Sequence, residues 1–272
     1  MTVDAPTTAA GNPVKASGRA PGGVQSLDRA FAILEAMADA GGMIGLSQLA
    51  ERADLPLATI HRLVRTLVDL GYVRQEPSRQ YSLGPRLMRL SDTSSRRIGV
   101  WANTAMKKAV AQLGESVNLA LLDGDEIVYV AQVQPSANFL RMFTEVGRRT
   151  QPHATAVGKA ILAQRTDAEV TALLQRTGMT RYTASTLTTV PDFLAALAET
   201  RDRGYALDDG EQELGVRCVA VVVPQAPQPL ALSMSGPLPR MSDNVVRTAV
   251  PVLHATAAEI GAELNRSGAG EG

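Results

Sequence analysis

The stretch LPLATIHRLVRTL, residues 55–67, decides the fold of the N-terminal part of the chain. Its apolar side chains recur at i, i+3, i+4 and i+7, which predicts a helix with one buried face; they are Ile60, Leu63, Val64 and Leu67. At about 100° per residue, the opposite face then carries Ala58, Arg62 and Arg65, flanked by Thr59 and His61. A small residue, a hydroxyl and two guanidinium groups suit a helix that reads the major groove of DNA.

Two helices are predicted upstream of this one. The first has an apolar stripe and ends at Gly41-Gly42; the stripe consists of Val24, Leu27, Ala30, Phe31, Leu34 and Met37 or Ala38. Ser47 is predicted to open the second, with Glu51 near the position of a capping box. Pro56 then suits the first turn of the third helix.

A hairpin is predicted after the third helix ends at Gly71. Residues 72–75 and 80–83 alternate around a turn at 76–79, and Arg74 and Arg79 are available for contact with the DNA backbone. Three helices and a basic hairpin make a winged helix-turn-helix domain over residues 23–84. The candidate DNA-binding residues are Ser47, Ala58, Thr59, His61, Arg62, Arg65, Arg74 and Arg79.

The charge distribution supports this interpretation, although the total does not. The chain has 27 basic and 27 acidic residues, a net charge of zero, which taken alone argues against a nucleic-acid partner. Residues 59–97, however, carry eight arginines against three acidic residues, a net of +5, whereas residues 24–58 carry a net of −3. The alternative for such a run is a solvated helical face. Together with the helix spacing and the wing, the arginines favour DNA binding.

Length and composition set the remaining limits. A chain of 272 residues suggests two domains. The single cysteine, Cys218, excludes a disulfide framework and a cysteine-rich zinc site, and the three histidines lack metal-ligand spacing, so no cofactor or metal is expected. No apolar run is long enough to cross a membrane, and residues 1–22 are interpreted as a disordered arm without a signal peptide. We expect a cytoplasmic protein.

The rest of the chain predicts an α+β domain. Residues 85–98 are amphipathic and predict a linker helix that packs against a partner's copy, and residues 266–272 are interpreted as a disordered tail. Between them, residues 99–265 predict strands in hairpins, with helices grouped around them, rather than a doubly wound sheet. The predicted strands are 117–122, 126–133, 139–143, 217–223 and 230–235; the predicted helices are 101–113, 154–164, 167–175, 191–203 and 243–264, the last kinked at Pro251.

Six segments in order resemble the IclR family of bacterial transcription regulators. They are VQSLDRA (24–30), LPLATIHRL (55–63), YSLGPRL (81–87), PHATAVGKA (152–160), GVRCVA (215–220) and SMSGP (233–237). The resemblance implies a winged helix-turn-helix, a linker helix and a GAF-like domain that binds a small effector. It also implies a homodimer, or a dimer of dimers, on palindromic double-stranded DNA.

The same resemblance implies an effector pocket. The family's pocket positions correspond here to Phe139, Met142, Ala156, Val157, Asp208, Cys218, Ser233 and Ser235. The residues agree with this role, since Ser233 and Ser235 share one strand face and residues 154–158 open a helix whose N–H groups suit a carboxylate. Ala156 replaces the glycine of the family's usual His-Ala-Ser-Gly, which adds a methyl group where a ligand approaches the backbone.

Within that family, the chain looks most similar to actinobacterial allantoin-pathway repressors. The similarity lies in GGVQSL (22–27), YVRQ (72–75) and DGDEIVYVAQ (123–132). It implies a repressor of a catabolic operon that responds to allantoate, glyoxylate or a similar small carboxylate or ureide. A regulator or activator of aromatic-acid catabolism is the main competitor within the family.

Two other classes of function remain open from the residues. A sensor or interaction module without DNA binding leaves residues 56–82 unexplained. An enzyme would recruit Cys218, His153 and Asp208 as nucleophile, base and orienting group, but Cys218 lies in an apolar strand, where thiols are usually inert. A Schiff base at Lys159 has no support, since a lysine inside a helix is most often solvated. We therefore expect a regulator and not an enzyme.

Overall fold

The computed structural model describes residues 23–91, 100–135 and 145–268. The chain divides into two compact units: the first contains the range 23–91 and the second contains the two later ranges. Among the described residues, no helix is both long and apolar enough to span a bilayer.

The N-terminal unit is a winged helix-turn-helix, as predicted. It consists of α1 (Gln25–Asp39), α2 (Leu46–Arg52), α3 (Leu57–Asp69) and an antiparallel hairpin of β1 (Val73–Gln75) and β2 (Tyr81–Leu83). All three helices and the hairpin contribute to one core, which comprises Ile33, Met37, Ile44, Leu49, Ile60, Val64, Leu67, Val73 and Tyr81. This core holds α3 with its opposite face exposed.

The predicted buried stripe of α1 was partly wrong. Ile33 and Met37 are buried, whereas Val24, Leu27 and Phe31 are 58%, 57% and 64% exposed. The reason is rotational: the three exposed residues lie roughly 120–180° around the helix from Ile33, so the core contacts only one of the two apolar edges of this helix.

The start of α2 also differs from the prediction. Ser47 was expected to open this helix, but Gly45 is its N-cap and Ser47 lies in the first turn. The Gln48 side chain accepts a hydrogen bond from the Gly45 N–H at 3.3 Å, in the role that was assigned to Glu51.

The C-terminal unit is built on a six-stranded antiparallel sheet in the described residues, in the order β5-β4-β3-β8-β7-β6. The strands are β3 (Ser116–Asp123), β4 (Glu126–Val133), β5 (Arg149–Thr150), β6 (Ala206–Asp209), β7 (Val216–Val222) and β8 (Leu230–Pro237). The sequence did not predict β5 or β6, which are short and lack clear alternation. The strand predicted at 139–143 lies outside the described residues.

Helices cover both faces of this sheet. One face packs against α4 (Val100–Leu113) and α8 (Asp243–Gly268). The other packs against α5 (Ala156–Leu162), α6 (Asp167–Thr177) and α7 (Val190–Arg203). The last helix runs through Pro251 and continues to Gly268, so the first residues of the predicted disordered tail at 266–272 are helical. The architecture is α+β, as predicted.

A close backbone contact between Gly158 and Pro152 fixes the beginning of α5. Residues Pro152–Ala154 form a separate 3-10 turn, so this helix begins at Ala156, two residues later than predicted. A Cβ atom on Gly158 would lie 2.1 Å from the Pro152 carbonyl oxygen, so only glycine fits at this contact. The Thr155 hydroxyl accepts from the Gly158 N–H at 3.0 Å and caps the helix.

The predicted linker helix is described only in part. Residues 86–91 are helical, and residues 92–99 lie outside the described ranges.

Candidate functional site

The third helix presents the surface that its periodicity predicts. Ile60, Val64 and Leu67 are buried and Leu63 is partly buried. On the other side, Thr59 is half-buried, and the side chains exposed to solvent are Ala58, His61, Arg62 and Arg65. Two guanidinium groups next to a small residue therefore stand on one accessible helix face.

The two arginines of the wing, Arg74 and Arg79, are in different surroundings. Arg74 donates to the Glu76 carboxylate at 2.9 and 2.7 Å, and the Ser82 hydroxyl donates to the same carboxylate at 2.7 Å. These hydrogen bonds, the one from Ser82 foremost, lower the pKa of Glu76. Arg74 is thus held by a carboxylate on its own hairpin, while Arg79 is exposed at the wing turn with φ of +63°.

One arginine of the basic stretch has a structural role. Arg86 donates to the Leu70 carbonyl oxygen at 2.9 Å, at the end of α3, and its guanidinium lies 5.3 Å from the centre of the Tyr72 ring. Ser47, on α2, is exposed. The candidate DNA-binding residues are thus spread over α2, α3 and the wing.

In the second unit, strand register brings distant residues into one row. Cys218 on β7 lies opposite Ser235 on β8 and opposite Asp208 on β6, and Ser233 is two residues from Ser235 on the same face. The row borders a cavity that is partly open to solvent. Six of the eight predicted pocket residues line it: Ala156, Val157, Asp208, Cys218, Ser233 and Ser235. The other two, Phe139 and Met142, lie outside the described residues.

Six further residues line the cavity that the sequence did not indicate: Tyr129, Arg148, Thr150, Gln212, Glu213 and Val216. Alternation along β4 from the buried Ile127 would have identified Tyr129. The others lie in or beside β5 and in the segment from the end of β6 to the start of β7, where no periodicity marks them. Arg148 matters most, because it adds a cation to an otherwise neutral and acidic lining.

Of the two acidic residues in this lining, Asp208 and Glu213, Asp208 is the buried one. It is 3% exposed, and one of its carboxylate oxygens accepts from the Glu211 N–H at 2.7 Å. Burial, opposed by that hydrogen bond and reinforced by the Glu211 charge, raises the pKa of Asp208 to about 7. Near neutral pH this carboxyl group therefore exists in both forms and can either donate or accept a hydrogen bond.

Lys159 contacts two residues close to Asp208 in the chain, Leu207 and Glu211. The expectation of a solvated lysine was wrong: Lys159 is 3% exposed, donates to the Leu207 carbonyl oxygen at 2.8 Å and forms an ion pair with Glu211. The reason is that all seven residues of α5 are buried. The pair ties this helix to the segment after β6, which contributes Gln212 and Glu213 to the cavity.

Two family models match the chain. The model of the IclR helix-turn-helix domain matches residues 26–77, and the model of the bacterial transcriptional regulator IclR C-terminal domain matches residues 91–262. The chain belongs to the IclR family. It is therefore a transcriptional regulator with an N-terminal DNA-binding domain and a C-terminal ligand-binding domain, as the sequence segments predicted.

Individual IclR proteins align with nearly the whole chain. The transcriptional repressor IclR of Escherichia coli is 35% identical over 253 residues, covering 90% of this chain and 92% of the relative. The repressor AllR of Salmonella paratyphi A is 30% identical over 259 residues, covering 93% and 95%. The crystal structure of an IclR regulator from Alicyclobacillus acidocaldarius has a TM-score of 0.74 at 28% identity, covering 88% of this chain and 98% of that one.

The surroundings of Cys218 and His153 do not favour the roles that the enzyme alternative gives them. Burial raises the pKa of the Cys218 thiol, which keeps it protonated. His153 is fully buried, its Nε2 lies 3.0 Å from the Thr180 carbonyl oxygen, and burial lowers its pKa. His153 does not line the cavity. In the described ranges, no three His, Cys, Asp or Glu side chains form a group able to hold a metal ion.

Proposed function

We propose that this IclR protein represses a catabolic operon, and that a small carboxylate or ureide bound in the cavity changes its affinity for the operator. One observation carries the proposal: residues from three separated segments, 156–157, 208–218 and 233–235, meet around one cavity that carries a few polar side chains. The relatives support repression rather than activation, since the proteins named IclR and AllR are both repressors.

The polar side chains of the lining offer specific partners to a small carboxylate or ureide. Arg148 offers a cation for a carboxylate, and Ser233, Ser235 and Gln212 offer neutral hydrogen-bond partners. Asp208 suits an amide or hydroxyl donor when ionised. Ala156 adds a methyl group to the wall, which reduces the room available near the start of α5. We propose allantoin or purine degradation, or the degradation of another small carboxylate, as the regulated pathway.

The relatives support both branches of that pathway proposal. The acetate operon repressor of Salmonella typhimurium is 36% identical over 253 residues, covering 90% of this chain and 92% of the relative. AllR shares 30% over a similar length. A small carboxylate therefore has at least as much support from identity as a ureide.

The DNA partner is proposed from the exposed face of α3. A homodimer, or a dimer of dimers, would place two copies of this helix in successive major grooves of a palindromic operator, about 34 Å apart. The proposed contacts are Ala58, Thr59, His61, Arg62 and Arg65 to bases or phosphates, and Ser47, Arg74 and Arg79 to the backbone. Because Arg74 is paired with Glu76, we propose that it contributes less to the free energy of DNA binding than Arg62 or Arg65 does.

Because DNA binding and effector binding are assigned to different parts of the chain, we propose three limits: 23–84 for the DNA-binding domain, 85–98 for the linker and 99–265 for the effector-binding domain. A protein that binds operator DNA acts in the bacterial cytoplasm, and we propose this location. We propose neither a catalytic step nor a cofactor.

The decisive experiment is a thermal-shift titration of the full chain with glyoxylate, pyruvate, acetate and allantoate, followed by operator selection from a random DNA library. We expect at least one of these acids to raise the melting temperature, and to raise it less when Ala156 is replaced by Phe, which fills the cavity wall. Absence of any shift, or a shift that Ala156→Phe leaves unchanged, would contradict the assignment of the cavity.

A further inference from the structure

A chain of side-chain amides leads from the surface of the second unit to the cavity. Gln134 donates to the carbonyl oxygen of Gln132 at 3.0 Å, and Gln132 donates to that of Asn118 at 2.9 Å. Asn118 in turn donates from Nδ2 to the Ser235 hydroxyl oxygen at 3.1 Å. Each amide nitrogen thus points one step further inward, and the chain ends on a residue that lines the cavity.

The sheet register explains why these side chains meet. Asn118 on β3 lies opposite Gln132 on β4 and opposite Ser233 on β8, so all three point to the cavity face of the sheet. Ser235 is the diagonal neighbour of Asn118 on that face. Asn118 is fully buried, which makes its hydrogen bonds costly to lose.

The direction of the chain has a chemical consequence. A serine hydroxyl has one proton, and an oxygen that already accepts from Asn118 must direct this proton elsewhere. Cys218 lies directly opposite Ser235 on the neighbouring strand, and its sulfur is one acceptor on this side of the sheet. The other direction open to the proton is the cavity. If the Asn118 side-chain amide were rotated by 180°, its NH2 group would face the NH2 group of Gln132, and that hydrogen bond would be lost. The donor direction from Gln132 to Asn118 to Ser235 can therefore reverse only if all the amides of the chain rotate together.

We propose that Asn118, oriented by Gln132, is a positioning residue that makes Ser235 a hydrogen-bond donor toward the cavity and thereby selects effectors with a carboxylate or carbonyl oxygen at that point. The proposal rests on the effector role of the cavity. It accounts for a buried asparagine that does not itself line the cavity, and it predicts a preference for ligands that present an acceptor oxygen, rather than an N–H group, to Ser235.

The test uses Asn118→Asp, which has the same shape and, in its ionised form, only accepts hydrogen bonds. The Ser235 hydroxyl then donates to the new carboxylate and is withdrawn from the cavity. For each acid that stabilises the unchanged protein, we expect calorimetric affinity to fall by about tenfold or more. The matched control is Asn103→Asp, which adds the same charge at an exposed site on α4 and should leave affinity unchanged.

A double-variant cycle separates positioning from simple charge repulsion. In a Ser235→Ala background, Asn118→Asp should cost much less affinity than it does alone, because the hydroxyl that it redirects is gone. Equal losses in both backgrounds would overturn the proposal. If Asn118→Asp does not fold, Gln132→Ala in the same cycle serves instead, with a smaller expected loss of about threefold.

A second measurement needs no effector. Cys218 is the sole cysteine, so its alkylation rate by iodoacetamide reports on the hydroxyl beside it. Asn118→Asp and Ser235→Ala should each slow alkylation by about threefold, and the double variant should be no slower than the slower single one. Multiplicative rates would overturn the inference. If no acid binds the unchanged protein, the proposed function fails, while this cycle still decides the role of Asn118.

Discussion

The proposed reading face of α3, which consists of Ala58, His61, Arg62 and Arg65, and the cavity of the second unit keep their proposed functional side chains in opposite surroundings. On α3, Arg62 and Arg65 project into solvent from a helix whose other face packs on the core. Around the cavity, Asp208, Ser233 and Ser235 are 2–3% exposed and belong to hydrogen-bonded strands. A residue in the first group can change without disturbing the fold, whereas a change in the second affects binding and stability together. Four predictions test this contrast, from the largest expected effect to the smallest.

The first prediction concerns the buried ion pair behind the cavity. Lys159→Met leaves the Glu211 carboxylate buried without its cation, and we expect the free energy of unfolding in urea to fall by about 3 kcal/mol. The matched control is Lys108→Met, which breaks an exposed pair with Glu259, whose side chains are 62% and 51% exposed. That change should cost about 0.5 kcal/mol or less. Similar losses for the two variants would break the contrast.

The second prediction concerns the reading face. Arg62→Ala and Arg65→Ala should each weaken operator binding by about 1–3 kcal/mol at fixed salt, as measured by fluorescence anisotropy. Unfolding free energy should change by no more than about 0.5 kcal/mol. Arg247→Ala, at an exposed position on α8, is the control and should alter neither quantity. Unchanged operator affinity in the Arg62 and Arg65 variants would remove α3 from the groove.

The third prediction follows from Asp208. Because burial raises the pKa of this carboxyl group to about 7, its protonated form stabilises the folded state, and that contribution is lost as pH rises through 7. An ionised Asp208 also repels an anionic effector. We expect the affinity for a small acid to fall by up to about tenfold per pH unit above 7. Asp208→Asn should flatten this dependence; an unchanged pH profile would show that Asp208 does not titrate beside the ligand.

The fourth prediction concerns Ser233 alone. Its removal as Ser233→Ala deletes one hydroxyl from the cavity wall, and calorimetry should show a loss of about 1 kcal/mol in effector affinity. Thr248→Ala removes a hydroxyl that donates to the Asn244 carbonyl within α8 and provides the control. An affinity equal to that of the unchanged protein would remove Ser233 from the contact set.

The same contrast explains what the sequence could predict. Periodicity alone identified the reading face, since Ile60, Val64 and Leu67 fix which way Arg62 and Arg65 point. The α+β class and most helices and strands of the second unit also follow from local patterns. Local patterns did not predict which apolar residues of α1 are buried, because the side of an amphipathic helix that contacts the core depends on where the neighbouring elements lie.

The cavity was predictable only where a family pattern marked it. Asp208, Cys218 and Ser235 are neighbours because three strands pair in a given register, which no local window contains. Arg148 and Gln212 were missed for the same reason, as was the ion pair between Lys159 and Glu211, 52 residues apart along the chain. Buried polar clusters depend on long-range pairing, whereas an exposed helix face depends on spacing within a few turns.

The central claim is that ligand binding in the second unit controls DNA binding by the first. It is tested most directly by measuring operator affinity with and without the acid effector, at one salt concentration and at an acid concentration that saturates the unchanged protein but lies well below the dissociation constant of the Ser233→Ala, Ser235→Ala double variant, for both proteins. The account predicts at least a fivefold change in the unchanged protein, about 1 kcal/mol of coupling, and no change in the variant, with equal affinities for both proteins when no acid is present. An equal response of the two proteins to the acid would contradict it.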